Sequence, residues 1–403
     1  MWVKFVHLFR QFYSLLFLMV CFSCTANAEQ AEDFNTWLNA LKLEAKTSGI
    51  SDETISLTFQ NAQLLPRVIE LDHSQPEFIS PFLSYLEKRV DTNKIAQGRH
   101  QLQVHTDLLA QVEAQYSVPK EVLVAFWGME TNYGHHKGSF NLPSSLMTLA
   151  YEGRRSDFFR DQLLKAMRIV DEGHSTVTNL KGSWAGAMGH MQFMPSTMLK
   201  YGVDADGDGR INLSASLDDA FASAANYLSQ VGWHKDEAIS LQVKLPAEFD
   251  YRLAQLTERR TTREWQKMGV VGIDNAQLPL LENAAILLPQ GWQGPAIMVF
   301  SNFDVVMDWN KSVNYALSVS ILSQQLRGDR IEMSGGLAEK GALSYSQLLI
   351  LQEKLNALGY DCGVPDGFPG IKTQAAIRQY QATQQLPQDG FASPSLYQRL
   401  SAQ

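Results

Sequence analysis

The chain has 403 residues and a formal net charge of −8, with 45% hydrophobic and 19% charged residues. This length allows two or three domains with a sizeable core, and this composition is typical of an ordinary globular protein rather than a disordered one. The excess of acidic residues argues against nucleic acid as a partner.

Residues 1–28 have the pattern of an export signal. Two basic residues precede an apolar run over residues 12–22, and Ala26-Asn27-Ala28 is a small-x-small cleavage site. The run is too short to span a membrane comfortably, and no later segment is long and apolar enough to do so. Removal of the signal leaves 32 Lys and Arg against 42 Asp and Glu. We therefore predict a periplasmic protein whose mature chain has no transmembrane segment.

The positions of the three cysteines are compatible with a soluble periplasmic chain, and they also raise the alternative of a lipid anchor. Cys21 and Cys24 lie inside the signal, which leaves Cys362 alone and excludes an intramolecular disulfide or a cysteine metal cluster. A bacterial lipoprotein is cleaved just before a cysteine that is then lipidated, and Cys24 stands near such a place. The residues before Cys24 fit a lipobox poorly, so a lipid anchor there is the less favoured interpretation.

The pattern from residue 29 to about residue 120 is helical. Apolar residues between Phe34 and Leu43 recur at helical spacing, and Ser51 is placed to cap the next helix. Residues 78–90 form another amphipathic stretch, which contains Tyr85.

The stretch Val118–Gly134 predicts a helix that carries a carboxylate on an apolar face. Leu123, Trp127 and Glu130 are spaced i, i+4 and i+7, and Gly134 is a plausible stop. Desolvation and the negative end of the helix both disfavour an ionised carboxyl group, so we expect the pKa of Glu130 to be raised. Such an acid can protonate a poor leaving group, for example a glycosidic oxygen. Taken alone, the spacing equally describes a solvated glutamate in a last helical turn.

Two further blocks follow in order, NLKGSWAGAMGHMQFMPS over residues 179–196 and VDADGDGRINL over residues 203–213. Together with the helix of Glu130, they resemble the lytic murein transglycosylases of the B type, over most of residues 60–325. The resemblance implies a lysozyme-like core at about residues 105–235. It also implies that one glutamate, Glu130, acts first as acid and then as base, so that a 1,6-anhydro sugar forms and no water is consumed.

The resemblance assigns the remaining site residues. Ser183 is expected to hydrogen-bond Glu130, and Asn310 to complete the cleft around it. Substrate contacts are implied for Tyr85, Gln192, Tyr227, Trp309 and Tyr315. The chain departs from the family at His190-Met191, where G-Y-G is common, and at Trp309, where Tyr is usual. For each aromatic residue the alternative is packing in the core.

The acidic block predicts a structural calcium site. Asp204, Asp206 and Asp208 occupy positions 1, 3 and 5 of an EF-hand-like loop, with Gly209 at the sharp turn and the carbonyl of Arg210 at position 7. The resemblance implies that Asp218, at position 15, closes the loop. The alternative is an acidic surface turn that holds no ion. No organic cofactor is expected.

The end of the chain predicts two further parts. Residues 240–300 alternate like strands and resemble the small β-containing insertion of the family. After a linker at residues 334–341, residues 342–403 contain two Asp-Gly-Phe turns with helical patterns around them, at Asp366 and at Asp389. This part is similar to the three-helix peptidoglycan-binding domain.

The predicted fold is mainly α (α+β), with a catalytic domain over residues 29–333. The predicted function is an exported lytic murein transglycosylase that cleaves between N-acetylmuramic acid and N-acetylglucosamine, acting as a monomer on peptidoglycan. One rival is a hydrolysing muramidase, which needs a second carboxylate, for which Asp157 and Asp171 are the nearby candidates. The other rival is a non-catalytic wall-binding protein that kept the fold.

Overall fold

The computed structural model describes residues 33–60, 62–73, 80–152, 155–331, 333, 341 and 343–402. The predicted export signal with Cys24, and residues 334–340 of the predicted linker, lie outside the described residues. Within the described ranges no helix is long and apolar enough to cross a lipid bilayer.

Helices make up most of the described chain, as predicted. Before the four-stranded sheet that residues 240–300 form, here called the central sheet, the helices are α1 (Phe34–Thr47), α2 (Asp52–Phe59), α3 (Pro66–His73), α4 (Phe82–Arg89), α5 (Thr92–Val104), α6 (Thr106–Tyr116), α7 (Lys120–Thr131), α8 (Leu142–Tyr151), α9 (Ser156–Asp171), α10 (Pro195–Tyr201) and α11 (Leu217–Gln230). Two short strands, β1 (Phe140–Asn141) and β2 (Lys181–Gly182), pair antiparallel beside α8.

The first helices form where the sequence predicts them. In α1 the buried residues are Trp37, Leu38, Leu41 and Ala45, which share one helical face. Ser51 caps α2 by accepting a hydrogen bond from the N–H of Thr54 at 3.1 Å. The N–H and O–H of Ser51 in turn donate to the carboxylate of Asp171 at 2.8 and 2.7 Å. The cap therefore also ties α2 to the end of α9.

Helix α7 lies at the centre of the largest core and packs against α14 and α5. Every residue from Val122 to Met129 is buried, which is typical of a helix enclosed on all sides. The helix ends at Thr131, before the predicted stop at Gly134, because Asn132 already has a left-handed backbone with φ of 50°. Tyr133 and Gly134 continue in left-handed conformations, with φ of 58° and 85°.

Residues 240–300 form the predicted sheet, with the strand order β4 (Val271–Gly272), β3 (Ser240–Lys244), β6 (Ala296–Val299) and β5 (Ala285–Leu287), all antiparallel. Short helix α12 (Thr262–Lys267) covers one face. Ile297 and Val299 of β6 pack into the core that contains α7, whereas Ala296 and Met298 pack into a second core around Trp265. The sheet is therefore buried on both faces.

After the sheet come α13 (Ser301–Trp309) and α14 (Val313–Arg327), which return to α7. A separate core then joins α15 (Tyr345–Ala357), α16 (Ile371–Thr383) and α17 (Pro394–Ser401) around Leu351, Leu355 and Ile377. The predicted fold class, mainly helical with a small sheet and a C-terminal three-helix unit, is confirmed.

Candidate functional site

Glu130 is half-buried in the last turn of α7, where two side chains hold its carboxylate. The indole N–H of Trp309 donates to Oε1 at 2.9 Å, and the O–H of Tyr315 donates to the same oxygen at 2.5 Å. Trp309 ends α13 and Tyr315 lies in the first turn of α14. Three helices thus meet at one carboxylate oxygen.

Two cationic side chains occupy the negative end of α7. The guanidinium of Arg89 donates to the carbonyl of Met129 at 2.9 Å, and the ammonium of Lys94 donates to the carbonyl of Gly128 at 2.8 Å. Burial and the nearby charge of Arg89 lower the pKa of Lys94 to about 8. The helix dipole expected to act on Glu130 is therefore opposed by positive charge at the same carbonyls. The raised pKa expected for Glu130 stays a prediction.

Tyr315 and Tyr85 are both buried in the core that contains α7. Tyr315 is 2% exposed and Tyr85 is 6% exposed. Burial, together with the neighbouring charge of Glu130 and their hydrogen bond, raises the pKa of Tyr315 well above its usual value. Tyr315 therefore remains a hydrogen-bond donor to the carboxylate, and its expected contact with a substrate stays a prediction.

Trp309 and Tyr227 form the aromatic wall beside Glu130. Their ring centroids are 5.1 Å apart, and Phe193 packs on both, at 5.2 Å from Trp309 and 6.1 Å from Tyr227. Both Trp309 and Tyr227 remain partly exposed, as a surface that stacks on sugar rings requires. Burial raises the pKa of Tyr227 to about 12, with the nearby Asp308 acting in the same direction.

Ser183 and Asn310 each accept a hydrogen bond from a backbone N–H a few residues further along the chain. The hydroxyl of Ser183 accepts a hydrogen bond from the N–H of Ala187 at 3.1 Å. Its expected bond to Glu130 stays a prediction. The amide oxygen of Asn310 accepts the N–H of Ser312 at 3.0 Å, just before α14 begins. The expected part of Asn310 in completing the cleft around Glu130 stays a prediction.

Gln192 has a left-handed backbone, with φ of 49°, which is uncommon for a residue with a side chain and often marks a functional site. Its side-chain amide donates to the carbonyls of Lys137 and Gly189 at 3.2 and 3.0 Å. Since both amide hydrogens are used within the protein, the amide oxygen is the part of Gln192 suited to accept a bond from a sugar hydroxyl.

His190 joins the helix of Glu130 to the acidic loop. Its Nδ1 accepts a hydrogen bond from the indole of Trp127 at 3.0 Å, and its carbonyl accepts the O–H of Thr131 at 2.9 Å. Its own N–H donates to the carbonyl of Leu213 at 2.8 Å. Sequence reasoning marked His190 as a departure from the family pattern but gave no sign of these contacts, because those with Trp127 and Thr131 connect segments 63 and 59 residues apart.

The acidic loop brings together three carboxylates, and Asp219 takes the place expected for Asp218. Oxygen atoms of Asp204, Asp206 and Asp219 lie within 4.8 Å of one another. Ser216 caps α11, so Asp219 is the third residue of that helix. The carboxylate of Asp219 accepts hydrogen bonds from the N–H groups of Ala205 and Asn212 in the loop, at 2.8 and 2.7 Å. Asp218, one residue earlier, is exposed.

The other predicted loop residues have different places. Asp208 is exposed and accepts the N–H of Arg210 at 2.8 Å, outside the group of three carboxylates. Calcium prefers six to eight hard oxygen ligands. Three clustered carboxylates, one of them fully buried, fit the first part of such a set.

The buried His190 predicts a pH-dependent stability. Burial and the nearby Lys137 lower its pKa to about 4, against 6.5 in the unfolded chain. As the pH falls through this window the unfolded state takes up the proton first, so stability is lost. The His190→Asn variant can still accept the bond from Trp127 but does not titrate. The difference in unfolding free energy between pH 7.5 and pH 5, measured by urea denaturation, should be smaller in this variant by about 2 kcal/mol. Equal differences in the two proteins would contradict this prediction.

Comparison with known proteins finds two family models that match successive parts of the chain. A family model described as a transglycosylase SLT domain matches residues 33–324, and a model of a peptidoglycan binding domain matches residues 344–400. The chain is similar to the membrane-bound lytic murein transglycosylase B of Escherichia coli, with 31% identity over 259 residues that cover 62% of this chain and 69% of the relative.

Solved structures extend the similarity. SltB3 from Pseudomonas aeruginosa in complex with NAG-anhNAM-pentapeptide is 43% identical, with a TM-score of 0.88 over 92% of this chain and 100% of that one. The Escherichia coli lytic transglycosylase Slt35 in complex with calcium is 27% identical, with a TM-score of 0.63 over 74% of this chain and 93% of that one. The chain therefore belongs to the transglycosylase SLT domain family of lytic murein transglycosylases.

Proposed function

We propose that this lytic transglycosylase cleaves the β-1,4 bond between N-acetylmuramic acid and N-acetylglucosamine in peptidoglycan, with Glu130 as the single acid and base. The observation that carries the proposal is the carboxylate of Glu130, held by Trp309 and Tyr315 next to an aromatic wall. The SltB3 structure in complex with NAG-anhNAM-pentapeptide, which contains an anhydro sugar, supports the same outcome for this chain.

In the first step, protonated Glu130 gives its proton to the glycosidic oxygen, and the bond from that oxygen to C1 of muramic acid breaks. Trp309 and Tyr315 both donate to Oε1, so they fix the orientation of the carboxyl group that carries the proton. The 2-acetamido group of the substrate can stabilise the positive charge that develops at C1. A second protein carboxylate is then not needed, unlike in most glycosidases.

In the second step, the carboxylate of Glu130 takes the proton from the 6-hydroxyl of the same muramic acid, and that oxygen bonds to C1. The two steps return Glu130 to its protonated form and consume no water. Trp309 and Tyr315 donate to the carboxylate in both states, so they hold its orientation while its charge changes. Trp309 and Tyr227 supply the surface on which a sugar ring stacks, and Gln192 and Asn310 supply polar contacts.

A hydrolysing muramidase would need a second carboxylate to activate water. Asp171 is bonded to Ser51 at the far end of α9, and Asp157 is exposed at the start of that helix. Asp308 precedes Trp309 and forms an exposed ion pair with Lys311 at 2.6 Å. These positions favour the transglycosylase over the hydrolase.

We also propose that Asp204, Asp206 and Asp219 hold a structural calcium ion. The Slt35 structure in complex with calcium supports this assignment. The ion would join the start of the acidic loop to α11, and His190 would connect the same loop to α7. Export by cleavage of residues 1–28, and the boundaries 29–333 and 342–403 for the catalytic and wall-binding domains, complete the proposal.

The masses of the released muropeptides test the reaction. We expect the mature protein to release products from purified sacculi that end in anhydromuramic acid, one water lighter than reducing-end products. Glu130→Gln keeps the acceptor oxygen for Trp309 and Tyr315 but has no proton to give, so cleavage should fall by at least about 1000-fold. Reducing-end products would make the enzyme a hydrolase, and unchanged cleavage by the variant would show that Glu130 is not the acid.

Removal of one hydroxyl tests how the carboxylate is positioned. Tyr315→Phe deletes one donor to Glu130 and keeps the buried ring, so kcat should fall about tenfold or more with little change in KM. Tyr227→Phe is the matched control, because it keeps the stacking ring and removes a hydroxyl with no hydrogen bond to Glu130 in the described structure. Equal kcat values for Tyr315→Phe and the parent would exclude a positioning role.

Thermal unfolding tests the calcium site. With 1 mM calcium chloride the melting temperature should exceed that in a chelator, since an ion present at 100 times its Kd adds about 2.7 kcal/mol. Asp206→Asn, at an exposed position of the loop, should reduce this difference. Magnesium at the same concentration is the control, because it is a poorer match for a flexible oxygen cage. No calcium-dependent shift in the parent would contradict the site.

A further inference from the structure

The C-terminal domain contains two turns with the same internal geometry, the first D-G-F turn (Asp366–Phe368) and the second D-G-F turn (Asp389–Phe391). In the first, Oδ1 of Asp366 accepts the side-chain amide of Gln352 at 2.9 Å and the N–H of Phe368 at 3.0 Å. The glycine of each turn has φ of 72°, a left-handed backbone that favours glycine.

The second turn repeats these bonds. Oδ1 of Asp389 accepts the side-chain amide of Gln381 at 2.6 Å and the N–H of Phe391 at 2.9 Å. In both turns the amide oxygen of the glutamine accepts the N–H of the glycine, at 2.8 Å in the first and 2.9 Å in the second. The two turns therefore have the same internal hydrogen bonds, and what the aspartate of one turn binds indicates what the aspartate of the other can bind.

The second turn is covered by a peptide segment of the central sheet's last loop. The backbone N–H of Trp292 donates to Oδ2 of Asp389 at 2.8 Å. A Cβ on Gly291 would lie 3.0 Å from the ring of Phe391, so the backbone lies directly on the turn. Asp389 is 8% exposed as a result. The carboxylate oxygen that the turn does not use thus binds an amide N–H of another segment.

In the first turn the corresponding oxygen is Oδ2 of Asp366, and no backbone segment of the described chain binds it. Asp366 is exposed, and Oδ2 accepts no hydrogen bond from any described residue. Val364 and Ile371 flank this turn in sequence and are 86% and 83% exposed, the highest values among large apolar side chains in the described part of the chain. The first turn thus presents an open acceptor within a segment that also carries two exposed apolar side chains.

We infer that the first D-G-F turn binds the stem peptide of peptidoglycan, with an amide N–H of the peptide bonded to Oδ2 of Asp366. The inference rests on the proposed function and adds the part of the substrate that the C-terminal domain recognises. A peptide is favoured over the glycan because a peptide covers the second turn, and because branched side chains at Val364 and Ile371 suit alanine methyl groups better than they suit sugar faces. Lys372, next to Ile371, offers a cation to the peptide carboxylates.

The test measures binding of the full-length mature chain in a Glu130→Gln background, which leaves the wall uncleaved. Two probes are used: intact sacculi, and sacculi from which an amidase has removed the peptides. We expect weaker binding to the amidase-treated sacculi than to intact sacculi. The free pentapeptide should compete with the binding to intact sacculi. Equal binding to both preparations would overturn the inference and indicate glycan recognition.

Variants locate the site. Asp366→Asn keeps Oδ1 for the turn but replaces the open acceptor with a donor, so binding to intact sacculi should weaken about tenfold. The double variant Val364→Ser, Ile371→Ser should weaken it by a similar factor. Leu358→Ser is the matched control: it removes an apolar side chain that is 49% exposed, at the other end of α15 from Tyr345, whose ring packs on Gly367. Parent-like binding by both test variants would overturn the inference.

A separate measurement distinguishes this inference from the proposed reaction. With Glu130 restored, the three variants should release anhydro products from a soluble muropeptide oligomer at the parent rate. The Asp366→Asn variant should show a higher apparent KM only for intact sacculi. Loss of activity on the soluble substrate would mean that the variants disturb the catalytic domain, and the inference would fail while the reaction assignment stood.

Discussion

The candidate site is closed by hydrogen bonds to one carboxylate oxygen, Oε1 of Glu130. Trp309 and Tyr315 reach Oε1 of Glu130 only if α13 and α14 return to the end of α7 after the whole central sheet has been formed. The distance along the chain between donor and acceptor is 179 residues for Trp309 and 185 for Tyr315. The sheet and the loops before it therefore act as the scaffold that closes the site.

Two positive charges at the end of α7 offset the unfavourable position of a glutamate there. A glutamate at the negative end of a helix lies in an unfavourable field. Arg89 and Lys94 bind the last carbonyls of the helix and place two positive charges near that end. The same two residues join α4 and α5 to α7, so the compensation of the field and the packing of the helices are one arrangement.

Much of the fold could be predicted from the sequence, because it depends on local patterns. The helix of Glu130, the cap at Ser51 and the strands within residues 240–300 each follow from spacing or residue type over a few positions. The choice between Asp218 and Asp219 could not be predicted, since it depends on the rotation of α11 set by its cap at Ser216. Nor could the burial of Tyr85 and Tyr315, because an aromatic residue on a helix face has the same pattern in a core and in a cleft.

The sheet that is buried on both faces has a consequence for how the catalytic part unfolds. Neighbouring residues of β6 belong to different cores, with Ile297 on the side of α7 and Met298 on the side of Trp265. Opening either core exposes one face of the same strand and weakens the other core with it. The two cores should therefore exchange their amide hydrogens as one cooperative unit, so that residues 240–300, although they look like an insertion in the sequence, cannot open independently of the catalytic helix.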